Sequence, residues 1–119
     1  MNESIINDVN LVKPKIELKD KIKLYQIALE CIFLFIEIFN IEDSDYVDHR
    51  IVVNKERAIE NRVKKIHKIT GLELDKVEEL INSHYPCQKN SDYFEVLRTG
   101  GIPIATLEEV IEYEKGKEK

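Results

Sequence analysis

The sequence predicts a mainly α-helical fold, a small bundle of about four to five helices around one core. Three observations carry that expectation. Glycine and proline number only 4 and 3 in 119 residues, too few breakers for a chain of many short strands. Apolar residues recur at helical rather than alternating spacing through the longer segments. Helix-start and helix-stop residues also fall at the ends of those segments.

The length suits one ordinary domain. A hydrophobic share of 43% is near the globular norm, while a charged share of 34% exceeds the usual quarter or so. That balance fits a core wrapped in solvated helices better than a disordered chain. Residues 1–16 are expected to be a poorly ordered leader, with Pro14 discouraging helix just before it. Residues 17–116 form the helical domain, and 117–119 a charged tail.

The first helix is expected from Ile16 or Glu17 to about Asn40. Its polar positions Lys19, Lys23, Gln26, Glu30, Glu37 and Asn40 share one stripe, and almost everything else from Leu24 to Ile41 is apolar. CIFLFIEIF is rich in strand formers, but the stripe decides for helix. The run is long enough to raise a membrane span. Glu30 and Glu37 on one face are costly in lipid, so the expectation is a core helix of a protein without membrane contact. Phe33, Phe35, Phe39 and the neighbouring isoleucines cover more circumference than one flanking helix hides. A homodimer seam at Ile32, Phe35, Ile36 and Phe39 is therefore expected as well.

Asp43, Ser44 and Asp45 mark a turn, followed by a short extended piece at Arg50 to Val53. Asn54 is the expected N-cap of a second helix reaching Thr70, with Gly71 as its terminator. Ile59, Val63, Ile66 and Thr70 point inward there, and Arg57, Asn61, Lys64 and Lys68 lie opposite. A third helix runs from Leu74 to His84, with Leu74, Val77, Leu80 and Ile81 inward. Residues 91–99 read either as a short helix capped by Ser91 and ended by Gly100–Gly101, or as part of a hairpin over 93–105; the helix is favoured. Thr106 and Glu109 form a capping box for a last helix with Leu107, Val110 and Ile111 inward.

Net charge is −5, a balance that argues against nucleic acid as the main partner. The charge is unevenly spread. Arg50, Lys55, Arg57, Arg62, Lys64, Lys65 and Lys68 face only Glu56 and Glu60 in the segment 50–68, while the segment 71–119 is acidic. Two distant cysteines, Cys31 and Cys87, make no disulfide framework. The first ten residues lack a basic region followed by an apolar stretch, so a cytoplasmic setting is expected.

Residues 62–81 have the helix, tight turn and helix spacing of a helix-turn-helix. His67 sits where that motif wants a small residue. The second helix offers Glu73, Asp75, Glu78 and Glu79 against Lys76, which suits phosphates poorly. Arg62 and His67 fit an Arg-x4-His spacing that resembles the short signature of HEPN-type ribonucleases. The resemblance implies a histidine that moves a proton of the attacking 2′-hydroxyl and an arginine that steadies phosphate. It covers two residues, and Val63 stands where the family commonly has a polar residue. Five helical steps also separate the two side chains by about 140°.

Asp43, Asp45, Asp48 and His49 gather oxygens a divalent cation would accept, but turn and capping duty explains each of them. His84 and Cys87 have zinc-like spacing without a second pair, and Cys87 has only His84 as a base. Gly100–Gly101 is punctuation rather than a phosphate loop. No catalytic residue, metal or cofactor is therefore assigned. The basic stripe Arg57, Asn61, Lys64 and Lys68 lacks the aromatics that stack bases, and it is the expected partner-binding surface. The sequence thus points to a small non-enzymatic regulatory or inhibitor protein that binds another protein and acts as a homodimer. A helix-turn-helix DNA-binding regulator and a HEPN-like ribonuclease are the alternatives.

Overall fold

The computed structural model describes residues 16–83 and 90–117. Among them are five helices and no strand: α1 Leu18–Glu42, α2 His49–Thr70, α3 Leu74–Asn82, α4 Asn90–Thr99 and α5 Leu107–Lys117. The fold is a small helical bundle, as the sequence predicts. α1 packs on α2 and α4, and α3 closes the layer by touching α2 and α4.

Asp20 in the first turn of α1 complements the positive helix end. The expected turn follows α1. Asp43 N–H donates to Phe39 O, and Ser44 Oγ lies 2.6 Å from both Ile41 O and Tyr46 O.

α2 begins earlier than expected. Asp48, not Asn54, is the N-cap, its carboxylate accepting from Arg50 N–H at 3.1 Å. Arg50 to Val53 is helical rather than extended. Asp48 offers the same kind of oxygen six positions sooner, and the added turns place Val52 seven residues before Ile59, on the same buried face. Ile59, Val63, Ile66 and Thr70 are all buried, as expected. Gly71 ends the helix at φ 78°, a left-handed conformation that glycine adopts without a Cβ clash. Thr70 Oγ1 donates to Ile66 O and accepts from Leu72 N–H, stitching the corner into α3.

α3 stops at Asn82 rather than His84, which lies outside the described residues. Val77 and Ile81 are fully buried, but Leu74 is exposed, contrary to its inward assignment. It is the first helical residue, at the open end beside the turn. A Cβ on Gly100 would fall onto the Leu80 methyls, so the bare glycine lets the end of α4 approach α3.

The ambiguity at 91–99 resolves as helix α4, with Ser91 inside its first turn rather than ahead of it. No hairpin forms. The chain reverses at Gly101, φ 110°, and Ile102 N–H returns to Leu97 O. Residues 102–105 are then held by Arg98, which donates to Ile104 O at 3.0 Å and Ala105 O at 2.9 Å, and by Ala105 N–H donating to Lys21 O of α1. Arginine and the first turns of α1 thus satisfy the backbone that a partner strand would otherwise serve. Ile102, Ile104 and Ala105 are buried by this arrangement.

The capping box of α5 forms as expected, with Glu109 N–H donating to Thr106 Oγ1 and Thr106 N–H to Glu109 Oε1. The inward assignment beyond it fails: Leu107 and Ile111 are exposed and Val110 is half-buried. The box sets where a helix begins, but says nothing about what lies beside it.

The core draws on every layer: Leu24, Ile27, Cys31 and Ile32 of α1, Ile66 of α2, Ile81 of α3, and Tyr93 and Leu97 of α4. Tyr93 is fully buried, and its hydroxyl donates to Ile81 O at 2.7 Å, so its polar tip has a partner.

Candidate partner-binding surfaces

α1 and α2 are joined by two ion pairs along one edge. Arg62 Nε meets Glu30 Oε1 at 2.8 Å, and Lys55 Nζ meets Glu37 Oε1 at 2.8 Å. The pairs are seven residues apart on both helices and run in opposite order, so the two helices are antiparallel and in register. The polar stripe of α1 is therefore partly committed to α2 rather than left to water.

That leaves an apolar ridge. Phe33 is 56% exposed, and Ile36 and Phe39 are each 46% exposed, with half-buried Leu29 one turn before Phe33. The seam expected at Ile32, Phe35, Ile36 and Phe39 is divided by the fold. Ile32 and Phe35 turn into the chain's own core, at 1% and 6% exposure, and only Ile36 and Phe39 remain on the surface. Phe33, absent from the expected seam, lies on this exposed ridge. Leu29, Phe33, Ile36 and Asn40 follow helical steps of four, three and four, but the apolar positions all around α1 hide that row in the sequence.

The basic stripe has the orientation expected from its spacing. Arg57, Asn61, Lys64 and Lys68 are all exposed along the solvent side of α2. Among the described residues none of the three cations joins an ion pair, whereas Lys55 and Arg62 on the flank toward α1 do.

Arg62 and His67 are held in separate places. The Arg62 guanidinium is engaged by Glu30 and also donates to Ala58 O at 2.9 Å. His67 Nδ1 donates to Leu72 O at 2.5 Å, which puts its proton on that nitrogen and its ring at the corner between α2 and α3. The exposed side of α3 carries Asp75, Glu78 and Glu79 beside Lys76, with Glu73 exposed just before its start.

Asp48 is occupied as a helix cap, and Asp43 and Asp45 are exposed. Among the described residues no group of three His, Cys, Asp or Glu side chains is placed to hold a metal ion. His84 and Cys87 lie outside the described residues. Cys31 is fully buried, and burial pushes its thiol up to about 12, with Arg62 opposing the shift and Glu30 adding to it. It stays a neutral, inert thiol at ordinary pH.

A further surface feature has no counterpart among the sequence motifs. A cleft of about 350 Å³ opens between α1, α2 and α3, with Phe35, Ile38, Ile59 and Val63 as its floor. Glu42, Glu56, Glu60 and Glu78 stand around it. Its one trace in the sequence is Glu56 and Glu60, four residues apart and so on the same helix face.

α1 is long and apolar enough to cross a membrane by length and composition, and in this fold eight of its residues are buried against the other elements. No protein-family model, curated protein or solved structure matches the chain.

Proposed function

We propose that the chain is a small non-enzymatic regulatory protein that works through its surfaces and self-associates along the α1 ridge. The observation that carries this reading is the row Phe33, Ile36 and Phe39, three large apolar side chains about half exposed on one helix. Contiguous apolar surface of this kind on a small domain marks an interaction site. A second copy is the natural occupant, because an apolar helix face is complementary to itself across a two-fold axis. Glu30 and Glu37 flank the ridge but are neutralised by Arg62 and Lys55, so two ridges meet without bringing unpaired carboxylates together. The basic stripe of α2 then remains free for an acidic protein partner, which the regulator would occupy or block.

The test is the solution mass. Light scattering at micromolar concentration should return a dimer for the wild-type chain, and a monomer with native circular dichroism for Phe33→Ser combined with Phe39→Ser. A monomeric wild-type chain overturns the reading.

A further inference from the structure

We infer that the cleft between α1, α2 and α3 is a docking groove for a cationic amphipathic segment of a partner protein. An apolar side chain of that segment would seat on the floor, and its lysines or arginines on the glutamate rim. The proposal concerns a different surface from the α1 ridge and does not rest on self-association.

Two physical features point to this occupant together. The floor consists of Phe35 and Ile38 from α1 with Ile59 and Val63 from α2, core side chains that leave 3–6% of their surface open at the foot of the cleft. Its volume, about 350 Å³, lies at the lower end of the range for ligand pockets of about 300–1,000 Å³, room for a few side chains rather than a large cofactor.

The rim is the second feature. Glu42, Glu56, Glu60 and Glu78 arrive from three different helices and carry one sign of charge. All four are exposed, and among the described residues none forms an ion pair. Two other glutamates of α1 behave differently: Glu30 and Glu37 are paired. Among the described residues no cation of α2 forms an ion pair with the rim: Lys55 and Arg62 pair with α1, and Arg50 with Asp48. Glu56 and Glu60 also form a like-charge pair four residues apart, which weakens a helix by itself. A cationic ligand converts that repulsion into attraction, and the low-dielectric floor beneath strengthens the effect. A purely polar cation would use the rim and leave the floor wet. The combination calls for charge and apolar surface in one segment.

The test is fluorescence anisotropy with a labelled model peptide of leucine and lysine, patterned as an amphipathic helix, added to the full chain. Saturable binding that weakens with salt is expected. Glu56→Lys with Glu60→Lys should weaken it by at least about tenfold, since it replaces attraction by repulsion at the groove. Glu56→Gln with Glu60→Gln should weaken it less while removing any doubt about folding. Glu112→Lys with Glu114→Lys makes the same change of net charge on α5 and should leave binding unchanged. Equal losses for the α5 and groove pairs would show general attraction to an acidic chain and overturn the proposal. Spermine binding as tightly as the peptide would overturn it too, because the floor would then contribute nothing.

Discussion

α1 and α2 lie side by side, tied by the same two ion pairs, yet their surfaces are used differently. α2 has one apolar stripe and one neighbouring layer to bury it, and its remaining faces are mostly charged, with Ile51 and Val53 exposed near its start. α1 is apolar around most of its circumference. It gives one side to α2 and another to α4, and a third side is left with Phe33, Ile36 and Phe39 facing out. A helix with a single stripe is satisfied inside one small domain. A helix with three apolar sides in a bundle this thin is not, and the unsatisfied side is where association is expected.

The sharpest way to break this contrast is within α1 itself. Phe35→Ala removes a buried ring and should cost about 3–5 kcal/mol of stability at any protein concentration. Phe33→Ala, two positions away, removes an exposed ring. Its effect should appear only at concentrations where the wild-type chain is dimeric, because the loss is one of assembly rather than of the monomer core. Urea melts followed by circular dichroism across a dilution series separate the two. If both variants lose the same stability at high dilution, Phe33 is part of the monomer core and the ridge is not an interface.

Cys31 sharpens the account of the buried side of α1. Its folded pKa stands at about 12 against an ordinary value of 9.0, so the unfolded chain loses the thiol proton first as pH rises. The thiol's contribution is complete below pH 9.0 and declines toward about 12. At about pH 10 the loss relative to neutral pH should be roughly 1.4 kcal/mol, one pK unit's worth. Measured as wild type minus Cys31→Ala, the titration of other groups cancels. A flat difference between neutral pH and pH 10 means that water reaches the thiol.

The same contrast explains how far the sequence is legible. On α2 the alternation of apolar and charged residues specifies orientation, so pattern alone assigns Ile59, Val63, Ile66 and Thr70 to the inside and the basic stripe to the outside, where the fold has them. On α1 almost every position qualifies for the core, so pattern does not separate Phe35 from Phe33, or Ile32 from Ile36. Orientation there is set by where α2 and α4 fall, which is tertiary information. Capping signals are readable when the chemistry is local: Gly71 and the Thr106–Glu109 box are both present. They mislead where two caps compete, Asp48 against Asn54, because the choice depends on burying Val52. The groove is barely legible. Its floor and rim come from three helices, and of the four rim glutamates only Glu56 and Glu60 share a helix.

A smaller effect tests the seam between the two helices. Arg62→Met and Lys55→Met each remove one ion pair that is partly open to water, with the two bases at 26% side-chain exposure and their acids about half exposed. Each should cost no more than about 1 kcal/mol, and less at high salt. Arg62→Met should cost more than Lys55→Met, since Arg62 also holds Ala58 O. Salt-dependent melting temperatures check the order, and equal, salt-independent losses would mean that packing of the long side chains is what matters.

The smallest effect on stability is expected on the far side of α2. Arg57 and Lys64 are exposed and point away from Ile59, Val63 and Ile66. Arg57→Glu with Lys64→Glu should therefore shift stability by only about half a kcal/mol and leave circular dichroism native. Binding is another matter. Charge reversal at a docking surface replaces attraction with repulsion, slowing association as well as weakening the complex. With labelled polyglutamate as the acidic partner surface, the wild-type chain should bind at low salt despite its net charge of −5, and the double variant should not. The control is Lys55→Glu with Arg62→Glu, which makes the same change of net charge on the flank of α2 already engaged by α1. If that pair abolishes binding as completely as the stripe pair does, the probe senses overall charge. Loss confined to Arg57 and Lys64 assigns the interaction to the solvent face of α2, a surface that the core does not need.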